Sequence, residues 1–275
     1  MVKFRRFYFK IARQTEFMKI KVIILNYNGM EHLPECLQST KSINCDNFEV
    51  IVIDNNSSDN SVDYIAKEHS EVKVVRIDKN LMFADGYNYF FNQDKEDCFY
   101  MILNNDTIVD SNILKNFLIG VDRYGENNIY GCKIMYESEP NKIWYAGGEI
   151  NLNSGLIRHI GIRQEDAGLQ DCITDYITGC CMFLRSSTMK KLNGFDGQFD
   201  MYMEDVDLCL RAQKEGVDCY FLKDPTLYHK VSSSMSINSK IFSTISSYVK
   251  LSVKHLGIFS IFNVPLFLIR RLLSI

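Results

Sequence analysis

Proline is scarce in this chain, four in 275 residues, and tryptophan scarcer still, at one. So little proline argues against Pro-rich linkers and low-complexity tracts. Positive charge is not in excess either: 31 Lys and Arg face 34 Asp and Glu, for a net charge of −3. The basic footprint of a nucleic-acid binder is therefore missing, and no nucleic-acid partner is expected. The nine cysteines are an odd number, with no C-x-x-C pair and no His-Cys ligand spacing. That argues against a secreted disulfide framework or a zinc ribbon, and for reduced thiols in the cytoplasm. Neither GxGxxG nor GxxxxGK[ST] occurs, so neither a dinucleotide fold nor a P-loop is indicated. The N-terminal stretch has no long apolar run before a small-residue cleavage site, so no signal peptide is expected.

What is present is alternation. KVIILNYNG is a short β-branched run that ends in Asn-Gly, a buried strand leading to a turn. Residues 31–42 have helical spacing, 48–53 read as a strand, 61–69 as a helix, 72–77 as a strand, 84–92 as a helix and 99–103 as a strand. Strand followed by helix, repeated, predicts an α/β fold with a mostly parallel central sheet flanked by helices. Ligands in such sheets bind beyond the carboxyl ends of the strands, where NYNG, DNNSSD and NND all fall. The middle segment, 129–173, carries Gly147, Gly148, Gly155, Gly161 and Gly168 and reads as short antiparallel strands and turns. ITGCCMFLRSSTMKKLNGF then reads as a strand and a helix stopped by Gly194. A strand over 218–222 follows, closed by a DPT turn ahead of His229.

Three clusters carry candidate chemistry. Asp54 ends a strand and opens DNNSSD, which fits a turn of Asx and Ser hydrogen bonds, or a site where Asp54 and Asn55 bond a base or ribose. LNNDT, at 103–107, fits a turn, or a carboxylate holding Mg²⁺ or Mn²⁺ beside a diphosphate. FDMYMEDVDLCLRAQKEG crowds Glu204, Asp205 and Asp207 into four positions. A helix that starts near Glu204 places Asp205 on the face of Leu208, Cys209 and Ala212, toward the interior or a cleft. Asp207 then stands four residues before Arg211, as a solvent-side ion pair, and Glu204 with Asp207 suits the helix N-terminus. All three also fit as ordinary first-turn acids.

In order along the chain, VIILNYNG, IVIDNNSSDNS, NLMFADGYN, LNNDT, WYAGGEINLNSG, TGCCMFLRSSTMKKLNGFDGQFDMYMEDVDLCLRAQKEG and YHKVSSS resemble motifs of the family 2 glycosyltransferases of GT-A fold, especially the rhamnosyltransferase-like branch. The resemblance covers about residues 19–236. Any one motif is weak, and seven collinear ones are strong. It implies inverting, metal-dependent transfer of a sugar from a nucleotide diphosphate to a hydroxyl. By it, Asp54 and Asn55 contact the donor's base and ribose, and Asn80, Gly86 and Asn88 line the donor pocket. Asn26, Tyr27, Asn28, Asn104 and Asn105 join them at the strand ends. Asn104 and Asp106 match the DxD motif, with Asp106 and His229 as ligands of Mn²⁺ or Mg²⁺. Asp205 matches the base, supported by Glu204, Asp207 and Gly179. Departures are Asn104 in place of the first DxD acid, Met82 where Gly is common, Asp85 where a small residue is frequent, and Ser246-Ser247 where an Arg-Asn pair often stands.

The expected organisation is a basic, aromatic extension over 1–18, a glycosyltransferase domain over 19–236 and a helical tail over 237–275. The tail is strongly apolar but interrupted by Asn263, Pro265 and Arg270-Arg271. That is too short a run to span a bilayer. It fits an interfacial helix, or a helix packed on the domain or on a second subunit. Expected partners are a nucleotide-diphosphate sugar and a glycan or lipid-linked acceptor, with room for peripheral membrane contact and a homo-oligomer. The expected place is the cytoplasm, with peripheral contact at the inner face of the cell membrane as an option. Two other readings stand beside this one: an inactive GT-A-like module that binds nucleotide sugar or glycan, and a nucleotidyltransferase. The latter lacks its usual Gly-rich basic loop after the first strand.

Overall fold

The computed structural model describes residues 18–231 and 237–273. The expected extension over 1–18, Met18 apart, and the serines after Val231 lie outside that range. β1 (Ile20–Asn26) is buried along nearly its whole length because both of its faces are covered, which is why it reads as an unbroken apolar run. It pairs in parallel with β2 (Phe48–Asp54) on one side and β4 (Phe99–Asn104) on the other. The register sets Asn26 opposite Asp54, and Leu25 opposite Asn104. Three polar residues thus end three adjacent strands at one sheet edge. β3 (Lys73–Arg76) completes this half in parallel with β2. The connections are α1 (Leu33–Thr40), α2 (Ser61–Glu68) and α3 (Met82–Gln93).

The other half is mixed. β5 (Thr107–Val109) and α4 (Ile113–Tyr124) lead to β6 (Ile129–Tyr136), β7 (Ile143–Tyr145) and the hairpin of β8 (Gly148–Asn151) and β9 (Leu156–His159). β10 (Cys172–Ile173), β11 (Cys181–Arg185), α5 (Ser186–Lys191), α6 (Glu204–Lys214) and β12 (Cys219–His229) follow. The sheet order is β10-β12-β6-β11-β4-β1-β2-β3, with β5 on β12 and β7 on β6. β11 is antiparallel to both β4 and β6, so the mostly parallel expectation describes the first half best. The expected strand over 218–222 is longer than the sequence suggested. β12 passes Asp224 and Pro225 through a register shift between Phe221 and Thr226, and continues to His229. Proline cannot donate to the ladder, and the irregularity accommodates it.

The tail forms α7 (Ile237–Leu256), a short 3₁₀ segment (Ile258–Asn263) and α8 (Val264–Leu273). Tyr248 stacks on Phe267 at 3.9 Å, and Tyr248 and Leu251 are fully buried. Tyr248 Oη and Asn263 Nδ2 both donate to the carbonyl of Leu152, beneath the β8–β9 hairpin. Gly155, in that hairpin, has φ +66°, and a Cβ there would stand 2.5 Å from the Phe267 nitrogen. A left-handed residue that touches a helix backbone has to be glycine. Among the described residues, no helix is long and apolar enough to cross a membrane.

Candidate active site

At the end of β1, Asn26 is buried and ties the strand-end loops together. Its Nδ2 donates to Ser61 Oγ (3.0 Å) and Ser57 Oγ (3.2 Å), and its Oδ1 accepts from Asn105 Nδ2 (3.0 Å). Asn28 takes the left-handed conformation that Asn tolerates, at φ +49°, and its Oδ1 accepts from the Ser58 nitrogen at 2.7 Å. Tyr27, between them, is half exposed. Asn26, Asn105 and Asn28 are therefore taken up in tying the strand-end loops together, and Tyr27 is the exposed side chain among them.

Asp54 is 1% exposed. Its Oδ1 has no hydrogen-bond partner, and its Oδ2 lies 4.0 Å from Arg76 Nε. A buried carboxylate oxygen without a donor is costly, and suits a ligand that brings an N–H or O–H. Asn55 next to it has a closed set of bonds. Its Nδ2 donates to Asn80 Oδ1 (2.9 Å) and the Met82 carbonyl (3.0 Å), and its Oδ1 accepts from the Leu81 nitrogen (2.8 Å). Asn55 and Asn80 thus shape the loop into α3. Gly86 lets α3 close onto β1, since a Cβ there would stand 2.8 Å from Leu25 Cδ1. Asn88 exchanges two bonds with the Phe195 main chain, at 2.8 and 3.0 Å, and anchors that loop.

At the end of β4, Asn104 and Asn105 are partly exposed and Asp106 is buried. β12 sets His229 opposite Thr107, and His229 Nε2 lies 3.2 Å from Asp106 Oδ2. Neighbouring ligands of an octahedral ion with bonds of about 2.1 Å stand roughly 3 Å apart, so this pair matches two positions of a Mg²⁺- or Mn²⁺-like site. Among the described residues no third His, Cys, Asp or Glu joins them. Such ions commonly take few protein ligands and complete their shell with phosphate and water. The donor set fits. Trp144 stacks edge-on against both His229 (4.5 Å) and His159 (4.4 Å), walling this corner.

Two consecutive left-handed residues, Tyr202 (φ +69°) and Met203 (φ +70°), lead into α6. Neither is glycine, so the turn is strained and the surrounding contacts hold it. Asp205 follows, partly exposed. Its Oδ2 accepts from the Gly179 nitrogen (2.9 Å) and its Oδ1 from the Val206 nitrogen (2.8 Å). Gly179 is followed by Cys180, whose carbonyl accepts from the Asn104 nitrogen at 3.0 Å. One dipeptide therefore joins Asp205 to the β4 end that carries Asp106. Burial raises the carboxyl of Asp205 above the ordinary range. Glu204 is buried with Oε2 unpartnered, and burial plus the charge of Asp205 push it up to about 8.

Asp207 departs from the expectation of a solvent-side pair. It does bond Arg211, Nε to Oδ2 at 2.8 Å, but it is 0% exposed because α7 covers that face. Lys254 Nζ (2.7 Å) and His255 Nε2 (2.8 Å) reach its Oδ1 from the tail. Burial would raise its carboxyl, and the bonds from His255, Lys254 and Arg211 override that and hold it down at about 2. Lys254 also bonds Asp196 at 2.5 Å, and Ser247 Oγ donates to the Met201 carbonyl at 2.9 Å. Sequence reading missed this clamp. The signal was the helical spacing of Ser247, Lys250 and Lys254, three and four residues apart, which puts all three on one face of α7.

The sequence model of glycosyl transferase family 2 matches residues 21–192. The rhamnosyltransferase WbbL of Escherichia coli K12 is 22% identical over 237 residues, covering 82% of this chain and 87% of that protein. An N-acetylglucosaminyl-diphospho-decaprenol L-rhamnosyltransferase of Mycobacterium tuberculosis is 22% identical over 240 residues, covering 78% of this chain and 77% of that one. Among solved structures, GalNAc-T7 with UDP, GalNAc and Mn²⁺ superimposes with a TM-score of 0.66 at 14% identity, over 86% of this chain and 48% of that one, so this chain spans about half its length. Staphylococcus aureus TarS 1-349 with UDP-GlcNAc gives a TM-score of 0.56 at 16% identity, over 91% and 72%. The strand-end edge, the long family match and the shared architecture lead to one conclusion: the chain belongs to glycosyl transferase family 2, as a rhamnosyltransferase-like glycosyltransferase of GT-A fold.

Proposed function

We propose that this chain moves a sugar, with inversion, from a nucleotide-diphosphate donor to a hydroxyl of a glycan or lipid-linked acceptor in cell-surface polysaccharide synthesis. The donor is dTDP-rhamnose or a UDP-sugar. The observation that carries the reading is the Gly179–Cys180 link, which ties a carboxylate (Asp205) to the strand end that bears a carboxylate–imidazole pair (Asp106 and His229). Single displacement at an anomeric carbon needs a base on one side and charge neutralisation on the other.

Asp205 accepts the proton of the acceptor hydroxyl as its oxygen bonds the anomeric carbon. The bond from that carbon to the diphosphate oxygen breaks, and the nucleoside diphosphate leaves with the electron pair. Asp106 and His229 would hold a Mn²⁺ or Mg²⁺ ion, which would supply positive charge to the leaving diphosphate. Asp54 offers its unpartnered oxygen to an N–H or O–H of the nucleoside. Support for the substrate class comes from the relatives, two of them rhamnosyltransferases and one named for a diphospho-decaprenol acceptor.

The test is incubation with Mn²⁺ or Mg²⁺, a panel of nucleotide sugars and candidate acceptors, following nucleoside diphosphate release. Release that requires donor, acceptor and cation together is the expected result. For Asp106→Ala we expect loss of the response to added cation. An unchanged cation dependence in that variant would remove Asp106 from the site.

A further inference from the structure

The tail carries the most exposed large apolar side chains among the described residues: Phe259 at 81%, Phe262 at 79% and Phe242 at 75%. Ile258, Leu266 and Ile269, in the 3₁₀ segment and α8, are exposed as well. None of these is needed to hold the tail in place, because its other face already packs through Tyr248, Leu251 and Phe267. Two bare phenylalanine rings expose on the order of 300 Å² between them. That approaches the largest apolar patch a monomer usually leaves in water.

Charge identifies the occupant. No Asp or Glu follows Asp224; Lys230, Lys250 and Lys254 pair with Glu35, Asp200 and Asp207 of the domain, which leaves Lys240, Arg270 and Arg271 as the cations of the tail without an acidic neighbour in the sequence. Exposed aromatic and aliphatic side chains on short helices, flanked by cations and free of acids, make an interfacial element rather than a spanning one. No described helix could span, and the 3₁₀ segment with α8 is too short for it. A two-fold contact would set this basic segment against its own copy, which like charge opposes. Anionic headgroups complement it.

We propose that this face seats on a lipid bilayer bearing anionic headgroups, with Phe259 and Phe262 inserted at the headgroup–acyl boundary. The proposal deepens the functional reading and rests on it for the acceptor, since a lipid-linked acceptor is confined to a membrane. The same tail reaches the site: Ser247 bonds Met201, just before the strained turn, and Lys254 bonds Asp207, two residues after Asp205. The seated face would thus hold the base beside the surface from which such an acceptor arrives.

The experiment is flotation of the full chain with vesicles of phosphatidylcholine alone, and of phosphatidylcholine mixed with phosphatidylglycerol. We expect binding to the anionic vesicles, weakened by salt, and roughly a tenfold loss for each ring removed in Phe259→Ser and Phe262→Ser. Both rings lie in solvent, so the double variant should keep its thermal midpoint and its nucleoside diphosphate release with a water-soluble acceptor. Wild-type protein that stays unbound with both vesicles would overturn the proposal, as would a double variant that floats equally well. A concentration-dependent dimer abolished by the same changes, without flotation, would assign the face to a second copy and also overturn it. Vesicle binding without transfer to any acceptor would sink the functional reading and leave the membrane face standing.

Discussion

Glu204 and Asp205 are neighbours of equal charge and unequal company. Asp205 receives two backbone N–H groups, while one oxygen of Glu204 receives nothing. Two buried acids side by side do not both ionise readily. The first charge therefore settles on Asp205, and Glu204 keeps its proton at neutral pH. Asp205→Asn should retain this packing and lose the base. We expect turnover to fall by about 10²–10⁴ with donor affinity nearly unchanged, measured as kcat against donor Kd. Weakened donor binding with normal turnover at saturation would defeat the assignment. Glu204 has a pH signature of its own. Its ordinary value is 4.5 and its folded one about 8, so between these the folded state keeps a proton the unfolded chain has released. Stability contributed at this site therefore declines as pH rises from about 4.5 to about 8. Glu204→Gln should match wild type near pH 4 and gain on it across that window, as read from urea midpoints. An equal difference at every pH would exclude this account.

At the scale of elements, α6 is held in place by α7. Helical spacing revealed α6 in the sequence, and a polar face opposite Asp205 suggested water there. That face instead lies under a tail helix whose docking depends on contacts more than 40 positions away in the chain, such as Asp207 with Lys254 and His255. Periodicity shows which residues share a face and is silent about what covers it. The same limit hid β12 beyond Pro225, because local proline chemistry signals an end that sheet pairing overrides. The asparagines show it once more. Strand-end position was legible, but which amides face a ligand and which bond one another was not. The Asp207 clamp yields a prediction. Its carboxyl ordinarily titrates at 3.8 and here near 2, so the clamp contributes fully above about 3.8 and is lost as pH falls through 2. Asp207→Asn should be less stable by about 2 kcal/mol at neutral pH, with the gap closing below pH 4. Acid-unfolding curves check this; a gap independent of pH would rule out the ionic origin.

Across the whole molecule, the parallel first half and its polar sheet edge were readable because β1, β2, β3 and β4 each announce themselves locally. The placement of β11 between β4 and β6 was not, since it is set by long-range pairing. The cysteines test the global packing. Cys172 is exposed, Cys45 half-buried and the other seven buried, with burial pushing Cys36 and Cys98 up to about 12. A thiol reagent should modify one cysteine quickly, a second slowly and seven only on unfolding. Early reaction of more than two would contradict the fold. The buried Asp207 has a last consequence. The family match stops at residue 192, but a chain cut after residue 236 would strip that carboxylate of two of the three side chains that bond it and leave it sealed or newly wetted. The end of the family model and the expected boundary of cooperative melting are different places on this chain. The smallest piece that unfolds as one unit should therefore run at least to His255, and the helix that looks like an appendage should melt with the sheet.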